Sequence, residues 1–199
     1  MKKFFQHFIL VTRHRHRVMR NAAHLGIFFH SLGHDLSKYS KEEFLRSYKY
    51  YSGNESPIFK ERFDNDLYSR IANHHCSKNK HHYEYYIDFY KGNVLTRNIP
   101  YCNALEMVAD MISASQVYLK NDFNREYVLR YFQSRQEGYI MTDGSYEFLE
   151  ECFKTYVESG FEFLKRKHTK RMYQQIMSKH PPVKYYKLSE ISREEILKV

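Results

Sequence analysis

Apolar positions recur at intervals of three and four residues along most of the chain, which is the period of an amphipathic helix. Phe4, His7, Val11, His14, Val18, Ala22 and Leu25 form one such stripe. It predicts a first helix from about Phe4 to Leu25, with Gly26 at its end. A short helix is expected before Gly33. Ser40-Lys41-Glu42-Glu43 reads as a capping box that opens a helix running to Ser52-Gly53. Pro57 stands near the start of a helix reaching His75. The loop Cys76–Lys80 follows, then a helical or aromatic segment from His81 to Tyr90. Pro100 opens a helix to about Lys120. Asn124–Arg135 reads as another, and Thr142–Ser159 as a further one with Gly160 after it. The tail continues as helix from Phe161 to about Ser178. Pro181-Pro182 break it, and residues 183–199 are expected to be loosely attached. No strand-length alternation bounded by hairpin turns stands out. The pattern therefore predicts an all-α protein, with a helical bundle over residues 1–160 and a basic helical extension over 161–199.

Composition narrows the class. A chain of 199 residues is long enough for one domain with a real core. With 42% hydrophobic and 28% charged residues it is not a disordered chain. No charge-free stretch approaches the roughly 20 residues that a spanning helix needs. The segment Phe4 to Val11 runs straight into Arg13-His-Arg-His-Arg17, with no small-residue cleavage site of a signal peptide. Cys76, Cys102 and Cys152 are isolated and odd in number, so they build neither a disulfide framework nor a CxxC knuckle. The expectation is a soluble, cytoplasmic, reduced protein that does not engage a membrane. The net charge of +9 sits at the ends. Residues 1–20 hold six basic and no acidic residues, 161–199 hold ten basic and four acidic, and the middle is net acidic. Such ends are either a solvated surface or a site for nucleic acid, an anionic substrate or an acidic partner.

Ten of the twelve histidines lie in the first 82 residues. Residues of metal-ligand type stand at His14, His34-Asp35, His74-His75, His81-His82 and Asp110. Imidazole with carboxylate suits iron, manganese or zinc and does not suit calcium. His14 lies on the apolar stripe, as a satisfied core histidine or as a ligand. Between Tyr101 and Leu119 the only charges are Glu106 and Asp110, one turn apart. A helix with so few charges is buried on most sides, and a buried carboxylate must be paired or hold a metal. Against this, the stripe Ala104, Met107, Val108, Met111 and Leu119 points away from Asp110, which leaves a surface position open. The two His pairs, seven residues apart, read as ligands or as a surface cluster of neutral imidazoles.

This order of His, His-Asp, further His and a late Asp resembles the HD-domain superfamily of metal-dependent phosphohydrolases. His34-Asp35-Leu36-Ser37-Lys38 is similar to its HDxxK form. Gly33-His-Asp-Leu-Ser-Lys-Tyr-Ser40, Asn79-Lys-His-His-Tyr-Glu-Tyr-Tyr86 and Glu106-Met-Val-Ala-Asp110 resemble more closely an uncharacterised bacterial and phage family. Its pattern is HDLSKYS-x-x-EF, HHxxxNxHHxEYW and EMVAD, and the likeness covers about residues 10–160. Tyr86 stands where that family has Trp. The gap from His75 to His81-His82 is shorter than in two-metal HD enzymes.

The resemblance implies an HD-domain-like helical bundle holding one or two divalent transition metals. Iron or manganese is expected, with zinc, cobalt and nickel compatible. His34 and Asp35 would form the centre, with Asp35 bridging. His14 and Asp110 would complete one metal, and His75 with His81 or His82 the second. Lys38 would contact substrate phosphate, and the spare His of the 81–82 pair, taken as His81, would protonate the leaving oxygen. Asn79 and Glu84 are candidates for orienting imidazoles. Arg13, Arg15 and Arg17 either face an anionic substrate or are solvated. Tyr83, Tyr85 and Tyr86 either stack on a base or pack. Three functions follow. The first is a phosphohydrolase acting on a nucleotide or another small phosphate ester. The second is a di-iron oxygenase. The third is a basic module that binds nucleic acid or a partner around a structural or vestigial site. The substrate and the oligomeric state are not legible.

Overall fold

The computed structural model describes residues 2–53 and 55–187. Helix α1 (Lys2–His24) carries the expected stripe, with His7, Val11, His14, Val18 and Ala22 buried. It crosses α5 (Tyr101–Leu119), in which every residue from Asn103 to Ala109 is buried. Val18, Ala22 and Leu25 meet Leu105, Val108, Ala109 and Ile112 in the main core. Helices α6 (Arg125–Ser134) and α7 (Asp143–Ser159) close this core from the other side. There the Phe132 ring lies 5.0 Å from Phe153 and 4.9 Å from Tyr146.

Side chains cap the helices where the sequence suggests. Ser40 accepts from the Glu43 amide at 3.2 Å and opens α2 (Lys41–Tyr50). Asn124 accepts from the Tyr127 amide at 2.8 Å, and Thr142 from the Ser145 amide at 3.2 Å. Each bond satisfies a first-turn N–H that the helix leaves without a partner.

Three features differ from the sequence reading. The helix expected from Pro57 to His75 is two, α3 (Pro57–Asp64) and α4 (Arg70–Lys78). Asn65 donates its amide to the Glu61 carbonyl at 2.7 Å, and Asp66 and Leu67 take positive φ. Glu61 then accepts from Ser69 Oγ at 2.6 Å and from the Ile71 amide at 2.9 Å. The polar run Asp64-Asn65-Asp66 favours a turn, and this buried carboxylate fixes it.

The second difference is a sheet, so the class is mostly helical and not all-α. The segment expected to be helical or aromatic up to Tyr90 instead forms a 3-10 turn (Tyr83–Tyr86) leading into β1 (Ile87–Tyr90). Strand β1 pairs antiparallel with β2 (Asn93–Arg97) across Lys91-Gly92, which have φ of 48° and 74°. Two positive φ values are what a tight hairpin needs. Most of β1 is exposed, which erased the alternation that would have marked it.

The third difference lies in the tail. Gly160, at φ 63°, ends α7 as expected, but the helix expected from Phe161 begins only at Arg166, as α8 (Arg166–Met177). Leu164 and Ile176 join the main core. Residues 183–187, expected to be loose, form β3, which pairs antiparallel with β2 in the order β1-β2-β3. The Tyr186 hydroxyl donates to the Met141 carbonyl at 2.7 Å and ties that strand down. The rest of the predicted tail, 188–199, lies outside the described residues. No described helix is long and apolar enough to cross a membrane.

His7 shows how burial sets charge in this fold. Its Nε2 lies 2.8 Å from Ser47 Oγ. Burial, then the positive charges of Lys38 and Lys3, lower its pKa from 6.5 to about 4. The unfolded chain therefore binds a proton that the fold does not between those values. The contribution is fully present above pH 6.5 and is lost as pH falls toward about 4. Urea titrations of wild type and His7→Gln at neutral and acidic pH should show a shallower acid loss in the variant. Equal losses would mean that His7 is not kept neutral.

Candidate metal centre

The centre is built around a strained turn. A 3-10 turn (His30–Gly33) delivers His34, and Asp35 then takes the left-handed conformation, φ 53° and ψ 23°. Asp tolerates that region better than most residues, because its short side chain bonds locally. A second 3-10 turn (Leu36–Tyr39) follows. Side chains three apart eclipse along a 3-10 turn. Lys38 consequently lies over Asp35, with its Nζ 2.6 Å from Oδ2. Arg15 clamps the preceding chain by donating to the carbonyls of His34 and Leu32 at 3.2 and 2.5 Å. That use of Arg15 is structural, whereas Arg13 and Arg17 are exposed.

Asp35 is fully buried, and its two oxygens face two different sets of side chains. Around Oδ2 are His14 Nε2 at 3.5 Å and His34 Nε2 at 3.3 Å. Asp110 completes that set, with Oδ1 2.9 Å from His14 Nε2 and 3.7 Å from His34 Nε2. Around Oδ1 are His75 Nε2 at 3.3 Å and His81 Nε2 at 3.4 Å. His82 belongs to this second set, its ring 4.6 Å from His75 and 4.4 Å from His81. In each set, His14-His34-Asp35-Asp110 and Asp35-His75-His81-His82, one ligand atom per residue lies within 4.8 Å of the others. Asp110 is thus half-buried and faces the cluster, as do both members of the 81–82 pair. His74 is not in it, since its Nδ1 turns to Glu43 Oε2 at 3.1 Å.

Two buried carboxylates stand behind the imidazoles. Glu106 Oε1 lies 2.9 Å from His34 Nδ1 and 3.5 Å from His81 Nδ1. Glu43 Oε1 lies 2.8 Å from His75 Nδ1. A carboxylate at Nδ1 leaves Nε2 as the free donor atom pointing inward. Burial would raise the Glu106 carboxyl, but the hydrogen bonds from His34 and His81 and their charge bring it down to about 2. The sequence reading saw both residues, Glu106 as a lone helix charge and Glu43 as part of a cap, and missed this role. Glu106 had a signal, one turn from Asp110 on the same face. Glu43 had none. Asn79 does meet His75, with Nδ2 3.1 Å from Nδ1, whereas Glu84 lies 4.0 Å from His82 Nδ1. Tyr83 packs against the core, Tyr86 meets Asn103, and Tyr85 is exposed.

The electrostatics are those of a cation site. Burial opposes ionisation of Asp35, yet the charges of His34, Lys38 and His75 hold it well below the carboxylate range. Burial likewise works against charge on His34, and Asp35, Asp110 and Glu106 together raise it well above its usual value. Burial and the neighbouring His81 and His75 push His82 well down. Nε2 of His34, His81 and His82 and Oδ1 of Asp35 are buried without a hydrogen bond among the described residues, whereas Asp35 Oδ2 has the Lys38 ammonium and His14 Nε2 has the Asp110 carboxylate. Buried polar atoms are normally satisfied, and a divalent ion would satisfy these. The residues fit such an ion in donor type as well, being hard oxygen and borderline imidazole nitrogen.

A protein-family profile matches residues 3–155: the family of unknown function DUF5662. The chain belongs to that family. No curated protein and no solved structure matches it. The family match spans α1 through most of α7 and so contains every residue of the cluster. It brings no activity with it.

Asp35→Asn keeps a side chain that tolerates the left-handed backbone but offers one oxygen in place of two. Mass-spectrometric metal analysis should show at least one equivalent fewer than in wild type purified without chelator. Unchanged content would remove Asp35 as the shared ligand. Glu106→Ala should keep the fold and weaken metal affinity by about 10–100-fold.

Proposed function

We propose that the protein is a metal-dependent phosphohydrolase of the HD type, acting on phosphate esters through two divalent ions that share Asp35. One observation carries this reading. A single buried carboxylate presents one oxygen to His14 and His34, with Asp110 beside them, and the other to His75 and His81, with His82 beside them. The donors are nitrogen-rich, so much of the ions' positive charge stays uncancelled. Imidazole with carboxylate suits iron, manganese or zinc. His14, His34, Asp35 and Asp110 would hold one ion, and Asp35, His75, His81 and His82 the other. When bound, such ions polarise a phosphoryl oxygen and acidify water.

The chain's own residues do the rest. Glu43 and Glu106 fix the ring orientations of His75, His34 and His81. Lys38, whose side chain is 27% exposed, is the cation at the rim of the cluster. Its four-carbon stem lets the ammonium pair with a non-bridging phosphate oxygen and hold charge that grows there. His81 and His82 both face the ligand cluster, so neither is left over as an acid. The leaving oxygen takes its proton from water in this proposal. The fold is taken as HD-like on the motif order and on this ligand arrangement, with the hairpin and β3 added outside the cluster.

The test compares wild type with Lys38→Ala for metal content and for hydrolysis of a generic aryl phosphate ester and diester. Metal should stay bound in the variant while turnover falls at least about tenfold, the scale of a lost charge contact in a transition state. Metal lost along with Lys38 would make it a structural partner of Asp35 only. A metal-loaded wild type inert toward phosphate esters but consuming oxygen with ferrous iron would overturn hydrolysis in favour of oxidative cleavage.

A further inference from the structure

We propose that the exposed faces of α1 and α8 form one continuous track that binds single-stranded nucleic acid. Arg13, Arg17, Arg20 and His24 recur at three and four residues along α1, and all are exposed. They share one side of the helix, opposite the stripe that builds the core. No acidic residue occurs in 2–24, and Glu162 is the one acidic residue in 161–180.

The stripe does not stop where α1 stops. The His24 ring stacks on Phe161 with centroids 5.0 Å apart and an interplanar angle of 13°. Arg166 donates to the Gly26 carbonyl at 3.4 Å. Gly26, at φ 74°, sits so close that a Cβ there would lie 2.8 Å from Arg166 Cβ. Helix α8 therefore begins against the end of α1, and the exposed Arg166, Lys167 and Lys170 carry the positive charge onward. Among the described residues no carboxylate lies within ion-pair distance of Arg13, Arg17, Arg20, Lys167 or Lys170.

His24 in the last turn of α1 and Arg166 on the Gly26 carbonyl suit the negative end of that helix, but the start of α8 does not account for its cations. Helix α8 has no acidic residue in its first turn, and Arg166 and Lys167 stand at its positive end, where cations cost stability. A polyanion would relieve the repulsion. Exposed rings are found next to the junction of the two helices in the chain, with Phe29 84% and Phe163 57% accessible. Rings beside a basic track suit unpaired bases, which stack, and have no counterpart in a duplex whose bases are already stacked.

The test is fluorescence anisotropy with a labelled oligothymidylate of about 20 nucleotides, in EDTA. Without metal no turnover is possible, so the result is independent of the hydrolytic proposal. Wild type should bind at about 50 mM salt and weaken roughly 100-fold by about 200 mM, as expected for about five phosphate contacts on a single strand. The quadruple variant Arg17→Ala, Arg20→Ala, Lys167→Ala, Lys170→Ala should bind at least about tenfold more weakly, with a shallower salt slope. Its thermal melting should match wild type, since all four side chains are exposed. No binding at the lower salt, or a variant that binds like wild type, would overturn the track. Equal affinity for a duplex of the same length would overturn the single-strand assignment. Binding confined to phosphatidylserine vesicles would overturn it in favour of a lipid surface.

Discussion

The arrangement depends on one buried carboxylate. Asp35 has no access to water, and both of its oxygens must find positive partners inside the protein. The left-handed turn that holds it makes this geometry available. It points the carboxylate inward between two short 3-10 turns, with His34 before it and Lys38 one turn after it. Helices α1 and α4 then close around that point with His14 and His75, which complement the charge, and α5 brings Asp110 and Glu106, which hold the imidazoles. A neutral residue at this position would remove the reason for five imidazoles to converge there.

Convergence has its own cost, because buried imidazoles repel when charged and orient poorly when neutral. Glu43 and Glu106 answer both problems. Each lies behind the histidines and sets which nitrogen faces the cluster, as carboxylates do around metal-bound imidazoles in general. Glu106 spans the two halves, since it touches His34 of one set and His81 of the other. Its far oxygen meets His30, 3.1 Å away near the surface. Disturbing it would therefore be felt at both sets at once. The hydrogen-bonded layer is as much a part of the centre as the donor atoms.

The basic helices α1 and α8 belong to the same body as this centre. The core residues Leu164 and Ile176 anchor the tail to the packing that supports α5, and β3 stitches it to the hairpin. The charges of α1 and α8 thus meet at the α1–α8 junction, where His24 stacks on Phe161. The sharing of Asp35 supports a hydrolytic centre, and the surface supports a long anionic partner. The two readings are physically independent.

Local pattern was enough to find most helices, because a 3.6-residue period and a capping side chain are written within a few neighbouring residues. It also marked His14, Asp35, His75 and Asp110 by residue type and position. It failed where the deciding partner is distant. The break at Asn65–Ser69 is set by the buried Glu61 as well as by turn chemistry. The hairpin has an exposed first strand, so no alternation reported it, and β3 exists only because β2 offers it an edge. Asp110 read equally well as a surface residue until α1 placed His14 against it. Glu43 and Glu106 looked like a helix cap and a stray charge until His75 and His34, 32 and 72 residues away, turned their Nδ1 atoms toward them. Sequence alone determined which residues could serve as ligands and where most of the helices run. Only the tertiary structure decided which of them meet, because contact between residues far apart in the chain depends on how the helices cross and not on any period along one of them.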